Sequence, residues 1–253
     1  MKHHSPLQAL LNASLDRVDQ HLGVRLARVL APCLLASMIG CFAVVLEPYL
    51  THRPRQMHLI KNLILAWLPV GFAWLSYRRA QAGQARSASF VGWAIGWLLL
   101  LPNSPYLFTD LVHLLGRYTA NYWLDLIKVL LFATTGMCVG MISLQLMHGL
   151  VTRWKGWLAG WGFVAMISAL CSIGVGLGRF KRWNSWDVLR APKSIVQDML
   201  EYLHHPWASD HPTGFYVLMT LFVFCSYLSF YTLRHAPPIE AHVPPERAPT
   251  PQA

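Results

Sequence analysis

The chain has 253 residues, of which 55% are hydrophobic and only 13% charged, against roughly 25% charged in an average soluble protein. A soluble domain of this size cannot bury that much apolar surface and still cover itself with polar groups, so soluble, disordered, collagen-like and disulfide-scaffold classes are excluded. The 21 Lys and Arg residues outnumber the 11 Asp and Glu, a formal charge of +10. They sit in short clusters between apolar runs, a pattern that suits anionic headgroups and topology control and not nucleic acid.

The first 28 residues predict an amphipathic segment. Leu7, Leu11, Leu15, Val18 and Leu22 recur at helical spacing after Ser5 and Pro6, which predicts a helix lying on the membrane surface. No small-residue cleavage site closes the first apolar run, so no signal peptide is expected. Six stretches free of Asp, Glu, Lys and Arg then follow, at 29–46, 62–77, 87–109, 129–152, 156–178 and 212–233. A spanning helix needs about 20 residues, and Lys61 extends the short second run by snorkelling. The expected fold is all-α: a polytopic membrane helix bundle over 29–233 with about six transmembrane helices plus an interfacial helix.

That interfacial helix is expected between the fifth and sixth runs. Ser194 and Gln197 have capping-box spacing. Ile195, Val196, Met199, Leu200 and Leu203 form an apolar stripe opposed by Gln197, Asp198 and Glu201. The 234–253 tail, rich in Pro and Ala, is expected to be disordered. Cys33, Cys41, Cys138, Cys171 and Cys225 all lie in apolar runs at no metal-site spacing and read as packing residues. Gly92 with Gly96, Gly136 with Gly140, and Gly156 with Gly160 are spaced for close helix approach. The first span and the basic cluster at 78–86 place both termini in the cytoplasm, with the chain in the cell membrane.

Two polar clusters interrupt this pattern. In the third run, Pro102 and Pro105 flank Asn103 and Ser104. Two prolines three apart do not fit an ordinary helix interior, and irregular backbone at membrane depth needs protein or a watery cavity around it. The break therefore ends the span or opens a pocket. Beyond it, Tyr106, Asp110, His113 and Arg117 fall on one helical stripe. Asp110 and His113 suit acid–base work or a simple hydrogen bond. A shared metal is the sharper alternative for this pair, but D-x-x-H alone is too weak a signal to assign one. The second cluster runs from Gly174, Gly176 and Gly178 into Arg179, Lys181, Arg182, Asn184 and Asp187. The glycines loosen the helix end, and Arg after such a turn suits phosphate. Asp187 is expected to pair with Arg182 or to cap the next helix. Because one cluster follows the third run and the other the fifth, they emerge on the same membrane face, as do Asp125 and Lys128. His148 lies toward the opposite face.

The segments 101–113 and 178–187 together resemble the domain of unknown function 1361 family, bacterial multi-pass membrane proteins. The resemblance covers about 35–235 and departs at Ser104, where the family often has Ala, and at Lys181, where it often has an apolar residue. It implies a membrane architecture and adds no activity or cofactor.

Three functions compete. In the first, Asn103, Tyr106, Arg179, Arg182 and Asn184 bind an anionic lipid or solute in a pocket on the outer face. The second is a membrane-embedded enzyme acting on a phosphorylated or lipid-linked substrate, with Asp110, His113 and Asp187 as candidate catalytic groups. In the third, the clusters only lock helix ends together. Around the pocket, Arg117, Arg179, Lys181 and Arg182 outnumber Asp110 and Asp187, which favours an anion.

Overall fold

A computed structural model describes residues 6–51, 56–114, 122–185, 187–204 and 213–235. Among these residues there are nine α-helices, one 3-10 segment and no strand. The long helices are α1 (Pro6–Thr51), α2 (Met57–Gln81), α5 (Tyr122–Lys155), α6 (Trp157–Phe180) and α9 (Thr213–His235). Each contains a stretch long and apolar enough to cross a membrane, in α1 the part from Gly23 to Tyr49. Between α2 and α5 come α3 (Ala88–Leu100), α4 (Asn103–Thr109) and the 3-10 segment Asp110–Leu114. Between α6 and α9 lie α7 (Asp187–Arg190) and α8 (Pro192–His204).

The third run is thus two short helices. Ser87 caps α3, its hydroxyl accepting from the Phe90 N–H at 3.2 Å. The helix ends at a turn at Leu101 and Pro102. Pro105 sits in the first turn of α4, where its missing N–H would have had no helical partner in any case. Contacts at both ends show that the pair still crosses the bundle. At one end Phe90 packs edge-on against Trp154, near the finish of α5, with ring centroids 5.7 Å apart. At the other, Asn62 near the start of α2 donates to Asp110 at 2.9 Å.

The centre of the bundle is α5, which packs against α1, α2, α4, α6 and α9. Trp97, Met141, Leu144, Ile167, Val175 and Tyr227 form the largest buried cluster; Val44, Leu59, Leu63, Leu107 and Phe132 form a second. Several polar groups of this core are paired, as lipid and protein offer no water: Trp97 donates to Ser143 at 3.2 Å, and Ser143 to the Gly140 carbonyl at 2.8 Å. At the periphery, α1 exposes Leu34, Leu35, Met38, Ile39 and Phe42. A band of that size belongs against acyl chains.

Several local expectations change. The amphipathic segment is helical from Pro6, but it is no separate element: its helix continues unbroken into the first span. The Ser194 capping box does not form, because α8 begins two residues earlier at Pro192, whose fixed φ suits the first helical position. The stripe from Tyr106 through His113 is not one α-helix, since the backbone tightens to 3-10 at Asp110. Arg117, and the tail beyond His235, lie outside the described residues. Gly156 is a hinge and not a packing residue: it alone joins α5 to α6, at φ 90°. Lys128 does pair with Asp125 at 2.8 Å, and also with Glu47 of α1 at 2.9 Å.

From Gly83 to Asn184 the chain crosses three times if α3 and α4 together count as one crossing, and twice if they do not. Reporter fusions at these two positions should therefore report opposite sides of the membrane; the same side for both would contradict the crossing.

Candidate functional site

The break in the third span docks into α5 at two glycines. A Cβ on Gly140 would lie 2.6 Å from the Ser104 Cβ, and one on Gly136 would lie 2.5 Å from Leu107. Ser104, fully buried, donates to the Ala66 carbonyl of α2 at 3.3 Å. Asn103 completes the joint. Its side-chain amide donates to the Leu100 carbonyl at 2.9 Å, one of the acceptors left unpaired where α3 stops. It also donates to the Ser185 hydroxyl at 3.0 Å, 82 residues away in the second cluster.

The second cluster is shaped by the end of α6. The helix does not loosen at its glycines but runs through them to Phe180. They serve as sockets instead: a Cβ on Gly174 would meet Pro102 at 2.5 Å, one on Gly178 the Tyr106 ring at 3.2 Å, and one on Gly176 would clash with Tyr216. The Trp183 N–H then donates back to the Leu177 carbonyl at 3.2 Å, and Arg182 between them has φ 58°. This back-bond is one residue longer than the 6→1 bond of the common glycine helix stop, and its left-handed position is likewise one that favours Gly. Arg182 in that position costs roughly 1–2 kcal/mol of backbone strain.

The loop is clamped from α8. Asp198 accepts from the Trp183 indole at 2.7 Å and lies 3.7 Å from Lys181 Nζ. Asp187 pairs neither with Arg182 nor with the helix it begins. One of its oxygens accepts from the Asn184 backbone N–H at 2.8 Å and side-chain amide at 3.2 Å, which closes a tight local turn. Arg182 has no ion-pair partner among the described residues.

A cavity of about 380 Å³ lies between the clusters. Leu65, Leu98, Leu99, Leu170, Ile173 and Leu177 form its apolar wall. Asn62, Asn103, Tyr106, Arg182, Asn184 and Ser185 supply its polar groups. Asp110, His113, Arg179 and Asp187 do not line it. Asp110 sits behind Asn62, 2% exposed, with Arg179 Nη1 at 3.6 Å and His113 Nε2 at 3.8 Å from its second oxygen. The cationic surplus expected around the pocket is therefore smaller. Arg179 faces Asp110 and Lys181 faces Asp198, so Arg182 is the cation at the cavity.

A model of one protein family matches residues 61–226, about two thirds of the chain, and takes in both clusters and the cavity between them. The chain belongs to the DUF1361 family. That family is described as proteins of unknown function. No curated protein and no solved structure matches the chain. At the two positions where the DUF1361 resemblance departs, the structure gives each side chain a partner: Ser104 bonds the α2 backbone and Lys181 faces Asp198.

Sequence reasoning missed Asn62, Ser185 and Asp198. Asn62 carried a faint signal, a polar residue opening an apolar run. Ser185 and Asp198 carried none, because their roles arise only from tertiary contact. The docked break makes a sharp forecast. Gly140→Ala should destabilise the protein by about 1–3 kcal/mol through overpacking. Gly92→Ala, with nothing within 4 Å of the added carbon, should be silent or slightly stabilising. Thermal unfolding of both variants in the same detergent checks the contrast.

Proposed function

We propose that this membrane protein binds an amphipathic anion in the cavity between the two clusters, with an anionic phospholipid the simplest case. The observation that carries the reading is Arg182. Strained backbone persists where surrounding structure enforces it, and it concentrates at functional sites. Here the strain sets an Arg without an ionic partner beside a cavity of mixed lining. A guanidinium binds phosphate or carboxylate bidentately, and Asn103, Asn184 and Ser185 add neutral hydrogen-bonding groups. The leucine-rich wall suits an acyl chain or another apolar tail. With the termini in the cytoplasm, the cavity opens toward the outer leaflet.

The strain gives this proposal a test with two signs. Arg182→Gly removes the guanidinium and relieves the left-handed backbone together. It should raise thermal stability, by up to about 1–2 kcal/mol, and lower retention of anionic lipid in native mass spectrometry. Arg182→Lys keeps the charge and loses the planar fork, so it should retain lipid to an intermediate extent. Equal anionic-lipid retention in wild type and Arg182→Gly would refute the proposal, because the stability gain rules out misfolding as an explanation.

A further inference from the structure

We infer that His58, Asp110 and His113 form a binding site for a first-row divalent transition metal ion, Zn²⁺ the simplest case. This goes beyond the anion-cavity reading and does not rest on it. One ligand atom from each of the three residues lies within 4.8 Å of the other two. Metal–ligand bonds of about 2.0–2.2 Å set tetrahedral ligand atoms about 3.4 Å apart, so the three atoms would draw together as they take up the ion.

Local backbone geometry produces the cluster. On an α-helix, residues three apart are offset around the axis. In a 3-10 helix they eclipse. The tightening at Asp110 therefore stacks His113 directly over it. The third ligand comes from the first turn of α2, 52 positions before Asp110, and its ring stands edge-on to His113 with centroids 5.4 Å apart. The pairing of Asp110 with His113 was a weak sequence signal because His58 was absent from it.

The surroundings follow the pattern of a metal site. His58 and Asn62 are four apart on α2 and so share a face. Asn62 donates to one Asp110 oxygen at 2.9 Å, which fixes the carboxylate with its other oxygen toward His113 and Arg179. Hydrogen bonds of this kind orient metal-ligating carboxylates. His113 stands 3.8 Å and Arg179 3.6 Å from that second oxygen, both longer than a hydrogen bond. Asp110 is buried while His113 is 51% exposed, so the cluster is anchored on one side and open to an entering ion on the other. Two imidazoles and a carboxylate suit Zn²⁺ or Fe²⁺ better than Mg²⁺ or Ca²⁺. Three protein ligands leave at least one position for water or an anion, and the Arg179 guanidinium lies 3.6 Å from the Asp110 oxygen of the cluster.

The test uses the full chain in detergent with any affinity tag removed. Zn²⁺ alone serves for affinity and stoichiometry, and Co²⁺ as the spectroscopic probe. Wild type should bind one ion per chain, with the visible bands of Co²⁺ in an ordered low-coordinate site. His58→Ala and His113→Ala should each lose that ion and the bands. Asn62→Ala, which removes only the supporting hydrogen bond, should weaken affinity roughly 10–100-fold. Two variants of the ligands keep the result readable if one fails to fold, and Arg182→Gly should bind the ion like wild type. Unchanged stoichiometry in folded His58→Ala or His113→Ala would overturn the site. So would wild-type binding no tighter than that of a His58→Ala/His113→Ala double variant. Lipid retention is not read, so failure here is distinguishable from failure of the anion-cavity proposal.

Discussion

The third apolar run breaks inside the helix bundle, and the rest of the site depends on how that break is satisfied. Backbone freed from a helix has no water to turn to inside a bilayer, so protein must take its place. Here Asn103 takes the Leu100 carbonyl, Ser104 reaches the α2 backbone, and the glycines of α5 let the whole joint come close. Helix association in lipid relies on such close packing, since burial against lipid-like side chains gains little. The cavity is a by-product of this solution. Pro102 seats against Gly174 of α6, and the space left beside the turn is walled by leucines from α2, α3 and α6.

The same end of the bundle holds a set of ion pairs. Glu47, Asp125 and Lys128 join α1 to α5, Asp110 faces Arg179 of α6, and Asp198 of α8 holds the loop after α6. Ionisable groups at a membrane margin are costly unless paired, and these arrangements pair them. Arg182 stands outside the scheme, held by a backbone conformation that glycine would adopt without strain. The opposite end is built differently. There His148 hydrogen-bonds the Tyr227 hydroxyl at 2.7 Å within a group of aromatic rings, a packing arrangement with no charge pair in it.

Much of this was legible in the sequence, for physical reasons. The lack of charge over six runs is a direct consequence of the lipid solvent, so it marked the helices. Two prolines within four residues had to break the third helix, and the parity of crossings placed Asp110 and Arg179 on one face. What could not be read were effects set by tertiary contact or by small backbone adjustments. The 3-10 turn at Asp110 swings His113 over it, and nothing in the residue types there demands it. Arg182 reads as a headgroup anchor until its φ is known. His58, in the first turn of α2 just ahead of the second run, gains meaning only when that turn lies beside Asp110. Nor does the amphipathic spacing of Leu7 to Leu22 reveal that its helix continues into the first span.

The central claim is that segments 82 residues apart meet beside one cavity through the Asn103 and Ser185 side chains. Thiol cross-linking tests it most directly. In a background with the five native cysteines replaced, Asn103→Cys and Ser185→Cys would be combined and treated in native membranes with a short bifunctional thiol reagent. The account predicts rapid, near-complete intramolecular cross-linking that neither single variant shows. A double variant that labels at both thiols yet stays uncross-linked would contradict it.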